Sequence, residues 1–218
     1  MEMSKPSVSV LMAVYNTDFV LLKRAIDSVL QQTFQDYELL IIDDGSTNDE
    51  QNLLLDYVKK HEDKITYFRH KNCGQARSIN LGIYNSTGTY ITILDGDDEY
   101  KPNHLRACID SIGTSDLIAS NAYIIVDTED DYYVPDRFDN YQMIHLDECI
   151  LFATLFGKKE VFADIQFKDG YAADADFYER AGQKYAVNKL DLRTYVYYRN
   201  YEDSTCDKLK KAVLSTFS

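Results

Sequence analysis

Three carboxylates fall within four residues at Asp95-Gly96-Asp97-Asp98, directly behind the apolar run Tyr90-Ile91-Thr92-Ile93-Leu94. Clustered negative charge of this kind repels itself until a cation or solvent relieves it. Aspartate oxygens without softer donors nearby suit a hard divalent ion such as Mg²⁺ or Mn²⁺, which keeps waters and takes phosphate oxygens as its remaining ligands. A calcium loop of the EF-hand type fails on position. Counted from Asp95, its required glycine falls on Tyr100 and its closing glutamate on Arg106. A solitary D-x-D is most often an acidic surface loop, but two further polar segments end apolar runs here: Ala13-Val14-Tyr15-Asn16 and Asp43-Asp44-Gly45-Ser46. Tyr15 offers a flat ring for stacking and Asn16 a turn-forming amide. Asp44 offers a carboxylate that can accept an imide N–H from a base. Asp, Gly and Ser are equally ordinary at a helix N-cap or turn, so that segment alone decides nothing.

The elements that must position these residues alternate. Residues 7–14 (SVSVLMAV) read as a buried strand, and 19–32 carry apolar residues at helical spacing. A strand is expected over 37–42, a helix over 48–60, a short strand over 65–68, a helix over 76–85 and a strand over 90–94. Three strand–helix alternations predict an α/β fold, a doubly wound, mostly parallel sheet flanked by helices. In such a sheet ligands bind beyond the carboxyl ends of the strands, where all three polar segments fall. After Pro102 the pattern loosens. A helix is expected over 103–112, a long strand over 116–126 and an acidic loop over 127–139. A helix over 174–183, a strand over 192–198 and a helical tail over 205–216 follow, while 147–163 take no clear assignment. The expectation is one domain over 1–218, with a nucleotide-binding half over 1–100 and a smaller, irregular acceptor half over 101–218.

The chain of 218 residues is 45% hydrophobic, ample for a core, and carries a formal net charge of −13. That charge argues against a nucleic-acid partner and against binding an anionic membrane by charge alone. An acidic protein that binds a phosphorylated ligand needs a metal or a local basic patch. Cys73, Cys108, Cys149 and Cys206 form no C-x-x-C pair. A zinc ribbon is thereby excluded, and reduced thiols in a cytoplasmic protein are the expectation. Met1 to Pro6 has no basic leader, and no apolar stretch reaches the length of a transmembrane segment. The polar tail after Ser204 leaves open that this is one domain of a longer, multidomain chain.

Four segments carry a family likeness: VSVLMAVYN, LLIIDDGSTND, the N-x-G-x-A-R of Asn72 to Arg77, and YITILDGDDEYKP. In order and spacing, the stretch from Val8 to Leu105 resembles the family 2 glycosyltransferases of the GT-A fold. The resemblance implies an inverting transfer of a sugar from a nucleotide diphosphate sugar, a UDP-sugar by preference, to an acceptor hydroxyl. That acceptor would be a glycan, a lipid-linked or another hydroxyl carrier, as in glycan or polysaccharide synthesis. It implies that Ala13, Val14, Tyr15, Asn16 and Asp44 hold base and ribose, and that Asp95 and Gly96 meet ribose or sugar. Asp97 would ligate the Mn²⁺ or Mg²⁺ that bridges the phosphates. Arg77 would face the phosphates or the donor sugar; as a residue it reads equally as a solvated arginine at a helix start. Asn72 and Gly74 read as turn formers.

Inverting transfer needs a general base on the acceptor side. Relatives place it in a Glu-Asp pair before an aromatic helical segment, and Ala173-Asp174-Ala175-Asp176-Phe177-Tyr178 stands in that place. Asp174 matches the second acid and is the expected catalytic residue; Ala173 replaces the first. On spacing alone, Asp174 and Asp176 equally suit a helix N-terminus. Tyr201 stands where many relatives carry a metal- or diphosphate-binding histidine. His61, His70, His104 and His145 lie outside every motif and read as surface or packing residues. Two alternatives remain: a catalytically silent nucleotide-sugar-binding domain and a sugar nucleotidyltransferase. The latter would want a glycine-rich basic loop where Tyr15-Asn16-Thr17-Asp18 stands.

Overall fold

The computed structural model describes residues 6–139 and 142–200. The first half alternates as its periodicity requires. Strand β1 (Val8–Val14) leads to helix α1 (Phe19–Leu30), and β2 (Tyr37–Asp43) to α2 (Gln51–Lys59). Strand β3 (Ile65–Arg69) leads to α3 (Gln75–Asn85) and then β4 (Tyr90–Ile93). Asp18 starts α1 by accepting the Val20 and Leu21 N–H groups, a cap that typically contributes about 1 kcal/mol.

The second half is built from shorter pieces. These are β5 (Glu99–Tyr100), α4 (His104–Ser111), β6 (Leu117–Ser120), β7 (Tyr123–Ile125), β8 (Tyr133–Pro135) and β9 (Met143–His145). Then come β10 (Phe156–Lys158), α5 (Lys159–Ile165), α6 (Ala173–Gly182), β11 (Val187–Leu190) and β12 (Tyr195–Tyr198). Seven strands form one sheet in the order β11-β6-β10-β4-β1-β2-β3. Only β10 runs antiparallel to its neighbours there.

The central strands are buried on both faces, which explains their near-continuous apolar runs. Val10, Met12, Leu39 and Ile41 pack with Ile26 of α1, Leu54 of α2 and Leu105 of α4. Leu11, Leu40 and Ile42 turn the other way, onto Ile79 of α3, Phe162 of α5 and Phe177 of α6. Each such side chain contributes roughly 1.5–3 kcal/mol on burial, so the sheet is a rigid platform for whatever projects from its strand ends.

Two expected elements are corrected. The acidic loop predicted over 127–139 carries β8, which is a strand only because it pairs antiparallel with β9. The single strand predicted over 116–126 is two strands in two sheets: β6 joins the large sheet, and β7 joins a small one ordered β5-β12-β7. The break lies at Asn121-Ala122. There the Asn121 N–H donates to Leu190 O at 3.0 Å and its amide to Asp191 at 3.2 Å. Both halves are rich in strand formers, so the run reads as continuous in sequence, where bonds to residues 190 and 191 leave no trace. The predicted tail helix over 205–216 and the substitution at Tyr201 lie outside the described residues. No helix among the described residues is long and apolar enough to cross a membrane.

Candidate active site

The sheet places β4, β1 and β2 side by side, with Val14 opposite Asp43 and Leu11 opposite Ile93. The three polar segments singled out in the sequence therefore leave the sheet along one edge. Asn16 holds the first two together. Its backbone adopts φ 52°, its Oδ1 accepts the Thr47 and Asn48 N–H groups at 2.7 and 3.1 Å, and its own N–H donates to Ser46 Oγ at 2.9 Å. Tyr15 beside it is 51% exposed, a ring open to a stacking partner. Ala13 is half-buried and Val14 buried. Gly96 brings the acidic loop against that strand end: a Cβ there would lie 3.3 Å from Val14 Cγ1.

The paired aspartates after β2 have different surroundings. Asp43 is buried, and its carboxylate accepts Ser46 N–H and Tyr67 O–H, each at 2.7 Å. Asp44, only 4% exposed, reaches the loop before α3. Its Oδ1 accepts Cys73 N–H at 2.7 Å; its Oδ2 accepts Gly74 N–H at 2.9 Å and the Asn72 amide at 3.1 Å. Gly45 permits this approach, since at φ +79° a Cβ there would stand 2.7 Å from Asn72 N. Gly74, at φ 98°, is the N-cap of α3, and Asn72 spends its amide on Asp44. His70, outside every motif, comes here too: its Nδ1 lies 3.6 Å from Asp44 Oδ1. Asp44→Ala leaves three donors without their acceptor and loosens that loop. If Asp44 also holds a base, as the resemblance implies, the variant loses about 1.5–3 kcal/mol of donor affinity, the worth of a hydrogen bond to a charged group, read as a raised donor KM with kcat little changed. An unchanged KM would confine Asp44 to holding the loop.

In the acidic loop the three carboxylates separate by environment. Asp98 is 2% exposed; it accepts the Tyr195 hydroxyl and, at 2.8 Å, the Tyr198 N–H. It fastens the loop to β12, and burial pushes its pKa well above the usual carboxylate range. Asp95 is half-buried and accepts the Gln75 amide at 2.8 Å. Its pKa is pushed up to about 7, first by burial and then by the charges of Asp97 and Asp174, against the pull of Gln75. Asp97 is exposed. Arg24 donates to its carbonyl oxygen while stacking 3.8 Å over the Tyr198 ring, a support for the loop that no motif announced.

Asp174 enters from the other half, in the first turn of α6. Its Oδ1 accepts Ala175 N–H at 2.8 Å and its Oδ2 accepts Phe152 N–H at 3.2 Å. Burial lifts its pKa to about 6, with those bonds and the Arg137 charge pulling the other way. Arg137 itself pairs with Glu179. Asp176 is engaged differently, in an ion pair with Arg180 one turn along α6 at 2.7 Å. Arg77 pairs with Asp169 at 3.0 Å, both side chains exposed. Exposed pairs are worth only about 0.2–1 kcal/mol, so another anion can displace Asp169.

Solved structures share this fold. A mannosyltransferase from Pyrobaculum calidifontis, in complex with GDP-Man and Mn²⁺, superimposes with TM-score 0.69 at 17% identity. The match covers 88% of this chain and 56% of that one. S. aureus TarS 1–349 in complex with UDP-GlcNAc gives TM-score 0.68 at 19% identity, over 93% and 60% of the two chains. The architecture is therefore GT-A. In sequence, an uncharacterized glycosyltransferase of Nostoc sp. is 36% identical over 124 residues, 56% of this chain and 38% of its own. Glycosyltransferase GlyA of Streptococcus pneumoniae is 25% identical over 156 residues, 71% of this chain and 22% of its own. The chain thus spans less than half the length of these curated relatives. The profile of glycosyl transferase family 2 matches residues 9–172. That stretch takes in the three strand ends and the whole acidic loop, and by it the chain belongs to glycosyl transferase family 2.

Proposed function

We propose that the chain moves a sugar from a nucleotide diphosphate sugar, a UDP-sugar by preference, to an acceptor hydroxyl, with inversion at the anomeric carbon. The observation that carries this reading is the convergence of the three polar segments that end β1, β2 and β4 along one edge of the sheet, inside the stretch that matches the family. In this reading residues 1–100 bind the donor and 101–218 present the acceptor, within one domain. The acceptor class is a glycan, lipid-linked or other hydroxyl carrier.

The residues of the acidic loop fit a Mn²⁺ or Mg²⁺ ion. They supply oxygen alone, Asp97 lies open to solvent, and burial followed by the charges of Asp97 and Asp174 pushes the Asp95 pKa up to about 7, a cost that a cation relieves. Asp97 would be the ligand, with Asp95 beside it. When bound, such an ion stabilises the charge of a departing diphosphate. The chain's own groups do the rest. Tyr15 stacks on the base, and Asp44 takes its imide N–H on a remaining lone pair. Asn16 and Gly96 set the walls, and Arg77 exchanges Asp169 for phosphate. Asp174 accepts the proton of the attacking hydroxyl.

Ala173, buried where relatives carry an acid, favours one rival: a domain that binds the donor without turning it over. Two measurements separate the readings. Thermal denaturation with UDP, dTDP and GDP, with and without Mn²⁺, is expected to show the largest rise for UDP with the ion. A ligand at a hundred times its Kd stabilises by about 2.7 kcal/mol, or some ~2–4 °C per kcal/mol in a domain of this size. Donor consumption in the presence of simple hydroxyl acceptors then distinguishes transfer from silent binding. A flat response to every nucleotide diphosphate overturns the proposal.

A further inference from the structure

Beside the donor crevice lies a second cluster of metal-binding side chains, made of softer atoms. His70 Nδ1 stands 3.5 Å from Cys73 Sγ and 3.6 Å from Asp44 Oδ1. The ligating atoms of all three residues lie within 4.8 Å of one another. A tetrahedral zinc ion, with bonds of about 2.1 Å to nitrogen and oxygen and 2.3 Å to sulfur, separates its ligands by about 3.4–3.6 Å. The nitrogen–oxygen and nitrogen–sulfur edges already have that length. We infer that Asp44, His70 and Cys73 form a three-ligand site for a borderline-soft divalent ion, Zn²⁺ by ligand type, separate from the oxygen-only acidic loop.

The surroundings complete such a site. Ser78 Oγ donates to Gly74 O at 3.0 Å, so its lone pair faces His70 Nε2, 3.1 Å away. With an ion on Nδ1 in place of the Lys71 O contact, Nε2–H donates to that serine oxygen; a metal-bound histidine characteristically donates its second N–H in this way. Asp44 Oδ2 is held by Asn72 and Gly74, which directs Oδ1 toward the cluster. His70 and Cys73 are half-buried, so the fourth position stays reachable for water. Without an ion, Nδ1 lies 2.8 Å from Lys71 O, a contact that needs a proton on that nitrogen. Imidazole and thiolate select zinc over Mg²⁺ or Mn²⁺.

Asp44 cannot hold this ion and a nucleobase together, so Zn²⁺ opposes the donor. That consequence rests on the proposed donor reading; the binding site does not. The test uses the 218-residue protein and Co²⁺ as a spectroscopic substitute for zinc. A thiolate-to-cobalt charge-transfer band and tetrahedral visible bands are expected, bleached by one equivalent of Zn²⁺. Cys73→Ser removes the charge-transfer band, and His70→Gln weakens binding by at least about tenfold, the least that disturbing a metal site costs. Cys149→Ser leaves both unchanged. In the unaltered protein, Zn²⁺ but not Mg²⁺ slows alkylation of Cys73, read by peptide mass spectrometry, so the result does not hang on a variant's folding. No cobalt band, a band that survives Cys73→Ser, or alkylation indifferent to Zn²⁺ overturns the site. A zinc-loaded protein that binds UDP as tightly as the zinc-free one overturns the shared use of Asp44. Cobalt bands from a protein that never binds UDP instead fault the donor reading and leave the site standing.

Discussion

Asp97→Ala is expected to abolish transfer while leaving the protein folded and, without an ion, more stable. Asp97 is exposed, and its carboxylate meets no hydrogen-bond donor among the described residues, so its removal breaks no internal bond. What it removes is charge. Burial, then Asp97, then Asp174 hold the Asp95 pKa near 7. A carboxylate raised in this way favours the protonated folded state. It therefore subtracts stability as pH climbs from the ordinary carboxylate range through about 7. Without Asp97 that loss shrinks, and the denaturation midpoint at pH 8 moves up toward its value at pH 5.5. Catalysis moves the other way. Charge stabilisation at a leaving diphosphate by a metal is a matter of several kcal/mol, and every 1.36 kcal/mol is about tenfold in rate. A fall of about 10³-fold or more is expected, together with loss of the Mn²⁺-dependent rise in midpoint. Full activity of the variant, or of the unaltered protein in excess chelator, removes the metal from the mechanism.

The first half was legible because its signals are local. Strands buried on both faces leave unbroken apolar runs such as LLII at 39–42, and the polar residues that end them announce the crevice edge. The other half depends on pairings far apart in sequence. β5 has two residues, and β7, β9 and β10 have three each. Nothing within so short a stretch fixes a period, and each is a strand only because of its neighbour. The acidic loop shows the same limit at single residues. Asp95, Asp97 and Asp98 are one residue type, yet Asp98 became a fastener because Tyr195 and Tyr198 reach it from β12. His70 and Cys73 stand three apart in sequence, a spacing that means little alone. Asp44 completes the cluster from another element, by way of the close approach that Gly45 permits.

Asp174→Asn is expected to lower kcat by about 10²–10⁴, the usual contribution of a general base, or roughly 3–5 kcal/mol of barrier. An acceptor hydroxyl attacks well only as its proton leaves, and asparagine keeps the shape of aspartate but cannot take that proton. Donor affinity should change little beside kcat, because the Asp174 carboxylate bonds Phe152 and Ala175 and reaches the strand ends only through its charge on Asp95. The pH profile gives an independent check. Burial raises the Asp174 pKa to about 6, so the base form dominates above that pH. Activity should fall as pH drops through about 6, and the residual activity of Asp174→Asn should lose that limb. Asp176→Asn is the control: it breaks only the pair with Arg180 on the same helix, worth about 0.3–0.5 kcal/mol. If Asp176→Asn abolishes turnover and Asp174→Asn spares it, the base lies two residues further along the chain. The stereochemistry of the product tests the mechanism itself. A hydroxyl deprotonated by Asp174 attacks from the face opposite the departing diphosphate, and one such displacement inverts the anomeric centre. A product that keeps the donor's configuration rules out a single displacement from the far face with Asp174 as its base.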